Sequence, residues 1–518
     1  MALATLVIVV VLAVGMLAAN VVSKRHDAEA APAPGTGAGA SPSASDAPSI
    51  PAVDPGDGTA GTTTAQNAIV FLVDDMHDFS CEEADLYLPR SSPWLREHGT
   101  CYENATTSTP VCCPARAQLQ TGQYSHNNRV ISQKAAHRLT VRDTVQHDLG
   151  QARIATYGIG KNLNGVRPSS YYGRHPLSTG FQRFNFWNSY KGRPGKFQLY
   201  EDDGTRYRPR DGLTSTETSG RYLNAYLDEK LASGERFFIY NATFAPHKQG
   251  ARFAPRHMPP VAREHRDDPV PPFRYSPERD ARDKLPIFRR AHQSRAYYEG
   301  LFAARARSLR SVDDQIAETF QRLQDAGVLD RTAVFFVSDN GYTDQGEVNW
   351  EGKSIPYPAA MNVPLLAYYP GRAAAVDTRD VNLVDVTATL YDVLDVAPGH
   401  LLDGHSLLGD HDRKVVYGEF YAESNGLVRQ ESGRRTTNLR SWRMVRRDGL
   451  SYVEWYGKNG GIIFREFYAD PGMTRNLLFH RRDPEAPTKA TVLEFKRLLH
   501  RYGTCQGTVE QGTPHPCS

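Results

Sequence analysis

Short apolar runs that stop abruptly at polar or charged residues recur along this chain. Ala68-Ile-Val-Phe-Leu-Val73 runs into Asp74-Asp75, and Ile154-Ala-Thr-Tyr-Gly158 runs into Gly160-Lys161. Phe237-Phe-Ile-Tyr240 leads to Ala245-Pro246-His247, and Ala333-Val-Phe-Phe-Val337 leads to Asp339-Asn340-Gly341. Such runs, apolar without alternation, predict strands buried on both faces. Before the last of them, Leu309, Val312, Ile316, Phe320 and Leu323 recur at helical spacing, and Gly327 supplies a stop. Strands alternating with helices predict an α/β fold whose large, mixed, mainly parallel sheet is sandwiched by helices. Open sheets of this kind place ligands beyond the carboxyl ends of their strands, where all four polar exits fall. Any one exit could be an ordinary strand-to-loop transition; four together are harder to dismiss.

From about Val415 the pattern changes. Ser441-Trp-Arg-Met-Val445 and Ser451-Tyr-Val-Glu-Trp-Tyr456 flank Arg446-Arg-Asp-Gly449, a hairpin signal, and Val492, Phe495, Leu499 and Tyr502 mark one face of a closing helix. A main unit over 67–414 and a smaller antiparallel sheet plus helix over 415–518 are therefore expected. Residues 248–296 are rich in Arg, His, Asp and Pro, which predicts an irregular excursion. Its mixed charges suit a solvated loop, although its basic groups could also draw a polyanion.

The first 22 residues are almost wholly apolar, long enough to cross a bilayer, with Lys24 and Arg25 after the run and Ala28-Glu29-Ala30 as a cleavage candidate. Residues 1–25 read as an export signal or membrane anchor, and 26–66, nearly all Ala, Pro, Gly, Ser, Thr and Asp, as a disordered spacer. The net charge of +3 is too small to argue for nucleic acid. Six cysteines suit an exported protein. Cys81, Cys101, Cys505 and Cys517 can pair in three ways, of which Cys81–Cys101 and Cys505–Cys517 close short loops and are favoured.

Cys112 and Cys113 stand apart. Adjacent Cα atoms are about 3.8 Å apart, below the roughly 4.4 Å minimum for an unstrained disulfide. No partner cysteine or histidine has redox or zinc spacing. Small buried thiols are the bland alternative. Asp74, Asp75, Asp339 and Asn340 are hard oxygen ligands suited to Ca²⁺ or Mg²⁺, and a divalent cation would relieve their mutual repulsion. Helix capping or a turn accounts for either acidic pair alone, less well for both.

Cys112-x-Pro114-x-Arg116 followed by Thr121-Gly122 resembles the signature of the type I sulfatases, in which the cysteine is oxidised after translation to formylglycine. The strand ending in Asp-Asp, Gly160-Lys161, Ala245-Pro246-His247, Ser338-Asp-Asn-Gly341, Gly352-Lys353 and Val363-Pro-Leu resemble the family's other segments, from about Asn67 to Leu478. Cys112-Cys-Pro114, Thr121-Gly-Gln-Tyr-Ser-His-Asn127 and Gly160-Lys-Asn-Leu-Asn164 are similar to N-acetylglucosamine-6-sulfatase-like members.

The resemblance implies an alkaline-phosphatase/sulfatase-like fold and hydrolysis of sulfate esters, with O-sulfated sugars of the glucosamine-6-sulfate type as substrates. It implies Ca²⁺, with Mg²⁺ as alternative, on Asp74, Asp75, Asp339, Asn340 and the converted Cys112. A hydrated aldehyde at position 112 would take the sulfuryl group and use its second hydroxyl to release it, which a serine could not. Arg116, Lys161 and Lys353 would neutralise the sulfate, and His247 would protonate the leaving alcohol. Many family members carry a histidine where this chain has Leu163, so His126 and Asn164 are the nearby candidates for the remaining base. Pro358 and Asn362, where the family pattern also differs, are expected to pack, and Cys113 to be passive. Arg434, Arg435 and Trp442 are rim candidates. A formylglycine-generating enzyme is the implied partner, and an extracytoplasmic catalytic unit, secreted or anchored, the implied location. A phosphodiesterase or phosphonate monoester hydrolase of the same superfamily, or a non-catalytic binder of sulfated glycans, are the alternatives.

Overall fold

The computed structural model describes residues 65–518 apart from 165–178, 188–192, 202–204, 250–256, 279, 290–292, 412, 423–427, 430–434, 437–438, 508–516 and 518. The expected signal or anchor segment (1–25) and nearly all of the spacer (26–66) lie outside the described residues. Among the described residues no helix is long and apolar enough to cross a membrane.

Ten strands form one sheet: β1 (Asn67–Val73), β2 (Thr100–Thr106), β3 (Ala155–Gly160), β4 (Arg183–Trp187), β5 (Leu199–Glu201), β6 (Arg206–Tyr207), β7 (Phe237–Ala242), β8 (Thr332–Ser338), β9 (Leu365–Tyr368) and β10 (Ala375–Asn382). Their spatial order is β10-β2-β9-β8-β1-β7-β3-β4-β5-β6. Strand β1 runs parallel to both neighbours, with Val70 opposite Tyr240 and Phe335. Strand β3 is parallel to β7, whereas β9 runs antiparallel between β2 and β8. The sheet is thus mixed and mainly parallel, as predicted.

The unbroken apolar runs have a direct cause. Val70 and Leu72 belong to one core with Leu390 and Tyr391 of the helix Leu383–Leu394. Ile69, Phe71 and Val73 belong to another with Leu309, Val312, Ile316 and Phe320 of the helix Arg295–Asp325. Covered on both faces, a central strand has no polar position, and each large apolar side chain so buried stabilises the fold by roughly 1.5–3 kcal/mol. Since β3, β7, β1 and β8 are adjacent and parallel, their carboxyl ends line up along one rim of the sheet.

A second sheet has the order β11-β14-β15-β16 and is antiparallel throughout: β11 (Val416–Phe420), β14 (Ser441–Arg447), β15 (Leu450–Tyr456) and β16 (Ile462–Tyr468). A small ribbon, β12 (Val428–Arg429) with β13 (Arg435–Thr436), stands between β11 and β14 in sequence. At the predicted hairpin both Asp448 (φ 51°) and Gly449 (φ 74°) are left-handed, the conformation a two-residue turn needs to match strand twist. One face of this sheet packs Tyr452 and Phe467 on Phe495 and Leu499 of the helix Lys489–Tyr502. Its other face packs Trp442, Trp455 and Tyr468 against Trp350, Ile355 and Tyr357.

Both favoured disulfides are formed, Cys81–Cys101 and Cys505–Cys517. The described part of 248–296 holds no strand; its short turns at Ala281–Asp283 and Pro286–Phe288 precede the start of the helix Arg295–Asp325. Its charges pair nearby: His265 lies 2.9 Å from Asp268 and 2.8 Å from Asp314, and Arg282 2.7 Å from Asp280.

Candidate active site

Four strand ends and one helix start converge. Asp74 and Asp75 follow β1, Lys161 follows β3, His247 lies five residues beyond β7, and Asp339-Asn340 follow β8. Cys112 opens the helix Cys112–Thr121, in which every residue is buried. Pro114 fits its first turn because amide groups there lack intrahelical acceptors anyway. Gly122 (φ 64°) ends the helix in a left-handed turn, its N–H on Gln118 O. Gly160 (φ 87°) has a different reason: a Cβ there would fall 2.0 Å from Ala242 O, so only glycine lets β3 lie against β7 and deliver Lys161.

The convergence is dry. Asp74, Asp75, Arg116, Asp339 and Asn340 are 0 % exposed, and Lys353, the most open member, is 8 %. Lys161 Nζ donates to Asp74 Oδ2, and Lys353 Nζ donates to Asp75 Oδ1. Lys353 Nζ also lies 2.9 Å from Cys112 Sγ, and Cys112 Sγ 3.5 Å from Asp74 Oδ1. Arg116 Nε donates to Asp339 Oδ2 at 2.8 Å, and its Nη2 is 3.7 Å from Asp74 Oδ1. Asn340 Nδ2 donates to Asp75 Oδ1 at 2.7 Å, and Asp75 N to Asp339 Oδ1 at 3.1 Å. His247 Nε2 stands 3.3 Å from Asp75 Oδ2. Its Nδ1 contacts the Lys248 carbonyl, to which it can only donate.

Three carboxylates therefore meet three fixed cations. Burial opposes ionisation of Asp74, yet Lys161, His247, Arg116 and Lys353 together hold its carboxyl well below the usual range. Burial and the Asp74 charge push Asp339 up to about 6 despite Arg116. Burial also pushes both thiols up, Cys113 to about 12. The expected repulsion among carboxylates is thus met partly by the protein's own cations.

A metal is still accommodated. Asp75 Oδ2 and Asn340 Oδ1 are buried and accept no hydrogen bond among the described residues. Donor atoms of Asp74, Asp75, Cys112 and His247 lie within 4.8 Å of one another. Asp75 holds left-handed backbone (φ 67°), a conformation concentrated at functional sites. Asp339 adjoins this group with both oxygens engaged, Oδ1 by Asp75 N and Oδ2 by Arg116.

Several sequence-predicted residues lie elsewhere. His126 is not brought to the cluster: Nδ1 is 3.0 Å from Glu419 Oε1 and Nε2 is 3.1 Å from the Cys505 carbonyl. It follows the C-terminus of a ten-residue helix whose N-terminus carries Cys112, and ten residues rise about 15 Å. Leu163 packs with Cys113, Ala117 and Val130 in a small core, and Asn164 N donates to Cys113 Sγ at 3.0 Å. Trp442 is 0 % exposed, so it is core and not rim. Arg434 and the Arg435 side chain lie outside the described residues.

Other groups support the site without having announced themselves in the sequence. Trp442 Nε1 donates to Ser354 O (2.9 Å) and Trp350 Nε1 to Lys353 O (3.1 Å), fixing the Lys353 turn. Arg305 is fully buried and ties Asp75 O to Pro246 O, its charge met by Asp344 at 2.6 Å. Lys248 Nζ donates to Glu351 Oε1 (2.5 Å) and Tyr297 OH (2.8 Å). A basic residue within long-range aromatic and acidic partners leaves no local pattern to read.

Comparison with known proteins adds an independent line. The sulfatase family model matches residues 66–396. An arylsulfatase of Volvox carteri is 26% identical over 446 residues, 73% of this chain and 66% of that protein. A human N-acetylglucosamine-6-sulfatase is 25% identical over 375 residues, 68% of this chain and 65% of that protein. Each match spans just under two thirds of the relative's length. A solved structure of a protein in complex with its substrate D-glucosamine-2-N,6-O-disulfate superposes with a TM-score of 0.63 at 19% identity, covering 84% of this chain and 97% of that one.

Proposed function

Because this chain belongs to the sulfatase family, we propose that it hydrolyses sulfate monoesters and does so at the cluster around Cys112. The observation that carries this reading is the packing of Cys112 Sγ, at a buried helix start, within 2.9 Å of Lys353 Nζ and 3.5 Å of an Asp74 oxygen. That is where a sulfuryl group would need both a nucleophile and positive charge.

In this reading a formylglycine-generating enzyme converts Cys112 to formylglycine, whose hydrate supplies the attacking oxygen and the second hydroxyl that releases sulfate. A calcium ion, or magnesium in its place, would be held by Asp74, Asp75, Asn340 and Asp339 and would add positive charge and lower the pKa of an adjacent hydroxyl. The remaining work falls to the chain's own side chains. Lys161, Lys353 and Arg116 face the non-bridging oxygens and offset charge that grows toward the transition state. The Lys248 carbonyl holds His247 Nδ1 as a donor, so Nε2 is the atom that carries a mobile proton to the leaving alcohol. With Leu163 in the core and His126 elsewhere, His247, left neutral once it has protonated the alcohol and grouped with Cys112 within 4.8 Å, is the group placed to take a proton during sulfate release.

Sulfated sugars of the glucosamine-6-sulfate type are the proposed substrates, supported by the names of the human relative and of the ligand in the structural neighbour. Two formed disulfides support an extracytoplasmic location. The test is side-by-side turnover by metal-loaded protein with a converted Cys112. Aryl sulfate and N-acetylglucosamine-6-sulfate should be hydrolysed well ahead of aryl phosphate diesters and phosphonate monoesters. Preference for the phosphorus esters, or no turnover of any sulfate, would overturn the reading.

A further inference from the structure

Beyond the Cys112 cluster, a groove with a volume of 780 Å³ opens between β16, the segment 476–487 and the start of the helix Lys489–Tyr502. Ligand clefts commonly measure about 300–1,000 Å³. Three large apolar side chains stand unusually open there: Ile463 is 51 % exposed, Phe479 54 % and Leu493 47 %. Around them stand Arg465, which pairs with Glu454 at 3.5 Å, and Arg481, Lys489 and Lys496; among the described residues no acidic side chain lines the groove.

We propose that this groove is a second binding site for a sulfated polysaccharide, separate from the catalytic cluster; the choice of polymer rests on the sulfatase reading. The cations come from three elements, the strand, the loop and the helix, and so border the apolar floor on more than one side. Lys489 and Lys496 lie seven residues apart on one helix, about 10 Å along its axis. A chain bearing charge on successive sugars can bridge that distance, whereas a single sugar cannot. The apolar floor offers surface to the C–H faces of the rings.

The groove is independent of the active site because it opens on the other face of the small sheet. Tyr468 and Trp455 face Trp350 and Tyr357 beside the Lys353 turn, whereas Tyr452 and Phe467 face the helix that forms the groove wall. Along β16, Arg465 alternates with Tyr468's side and shares Phe467's, while Ile463 sits at a register shift and reaches the groove from there. A polymer held here would raise the local concentration of its other units for the catalytic site without touching the chemistry.

The experiment compares the full chain with its Lys489→Glu/Lys496→Glu double variant and with Phe479→Ala, using heparin, fully desulfated heparin and polyglutamate as probes in 0.1 M NaCl. The double variant should bind heparin about tenfold more weakly, as reversal of two exposed charges predicts. Phe479→Ala should weaken it about threefold, and aryl sulfate turnover should be unchanged in both. Heparin affinity within twofold of the parent in both variants overturns the proposal, as does equal binding of desulfated heparin. Polyglutamate binding as tightly as heparin would assign the groove to an acidic protein segment instead. Turnover and heparin binding are read separately, so loss of all sulfatase activity in the parent counts against the catalytic reading alone.

Discussion

Lys353 Nζ lies 2.9 Å from Cys112 Sγ although 240 residues separate them in sequence, and the turn that brings it there is held by two indole N–H groups. Trp442, on β14 of the small sheet, donates one of them, to Ser354 O. Trp442→Phe keeps most of the buried ring but leaves that carbonyl unpaired, at a cost of about 1–3 kcal/mol. Turnover of aryl sulfate should fall about tenfold as Lys353 loses its fixed position, and a urea melt should report the stability loss. Unchanged turnover alongside the stability loss would show that the turn keeps its place without the small sheet.

Cys112 and Cys113 should behave as opposites. Peptide mass spectrometry across Thr109–Arg116 of natively modified protein should find the oxidised residue at 112 and an intact thiol at 113. Cys112→Ala should cost 10³-fold or more in turnover, roughly the loss seen when a covalent nucleophile is removed. Cys113→Ala should keep turnover within a few-fold, because its sulfur serves a small core and accepts one backbone N–H, from Asn164.

Removing metal should be visible without an activity assay. Asp74 and Asp75 follow β1 and Asn340 follows β8, so an ion shared between them would tie two loops together. Calcium at about 100 times its dissociation constant should add ~2.7 kcal/mol to the unfolding free energy. Thermal melts after chelation and after calcium return measure this, and Asp75→Asn should abolish the difference.

Local pattern carried the architecture because burial on both faces of β1, β7 and β8 demands apolar runs, and their polar exits name the rim on which Asp74, Lys161, His247 and Asp339 meet. What lay beyond reach were positions decided by distance along an element or across the chain. His126 follows the signature closely in sequence, but a rigid helix of ten residues separates it from Cys112. Trp442 looks like a surface aromatic in an alternating strand until the other face of its sheet is seen to pack on Trp350 and Tyr357. Arg305 sits among the arginines of a long helix, and nothing local distinguishes the one that turns inward.

His126 should matter to stability and its dependence on pH. Burial would lower its pKa, but the charge and hydrogen bond of Glu419 more than offset this, so the folded value is raised above 6.5. Stabilisation from a raised pKa is fully present below the unfolded value and is lost as pH rises through the folded one. Relative to His126→Gln, which keeps a donor but cannot titrate, the urea midpoint of the parent should therefore fall as pH rises from below the ordinary value through the raised folded one. Parallel profiles for the two proteins would show that the ring titrates alike folded and unfolded, so that Glu419 gives its charged form no net gain.

Arg305 offers the sharpest separation of positioning from chemistry. From the helix Arg295–Asp325 its guanidinium donates to Asp75 O and, at 3.2 Å, to Pro246 O, so it joins the segment carrying the candidate metal ligand to the segment carrying His247. Asp344 meets its charge at 2.6 Å and is itself 2.9 Å from His77, so the bridge is paired throughout a region closed to solvent. Lysine keeps the charge but cannot span two carbonyls and a carboxylate with a planar fork. Arg305→Lys should therefore leave the overall fold in place, weaken calcium binding about 10-fold or more, and lower turnover at saturating calcium by a similar factor. Arg305→Gln, which leaves Asp344 with His77 alone, should in addition lower thermal stability, by up to about 3–5 kcal/mol. If Arg305→Lys lost stability but bound calcium with parental affinity, the guanidinium would be a fold element alone, and Asp75 would be held by Asn340 and its own backbone.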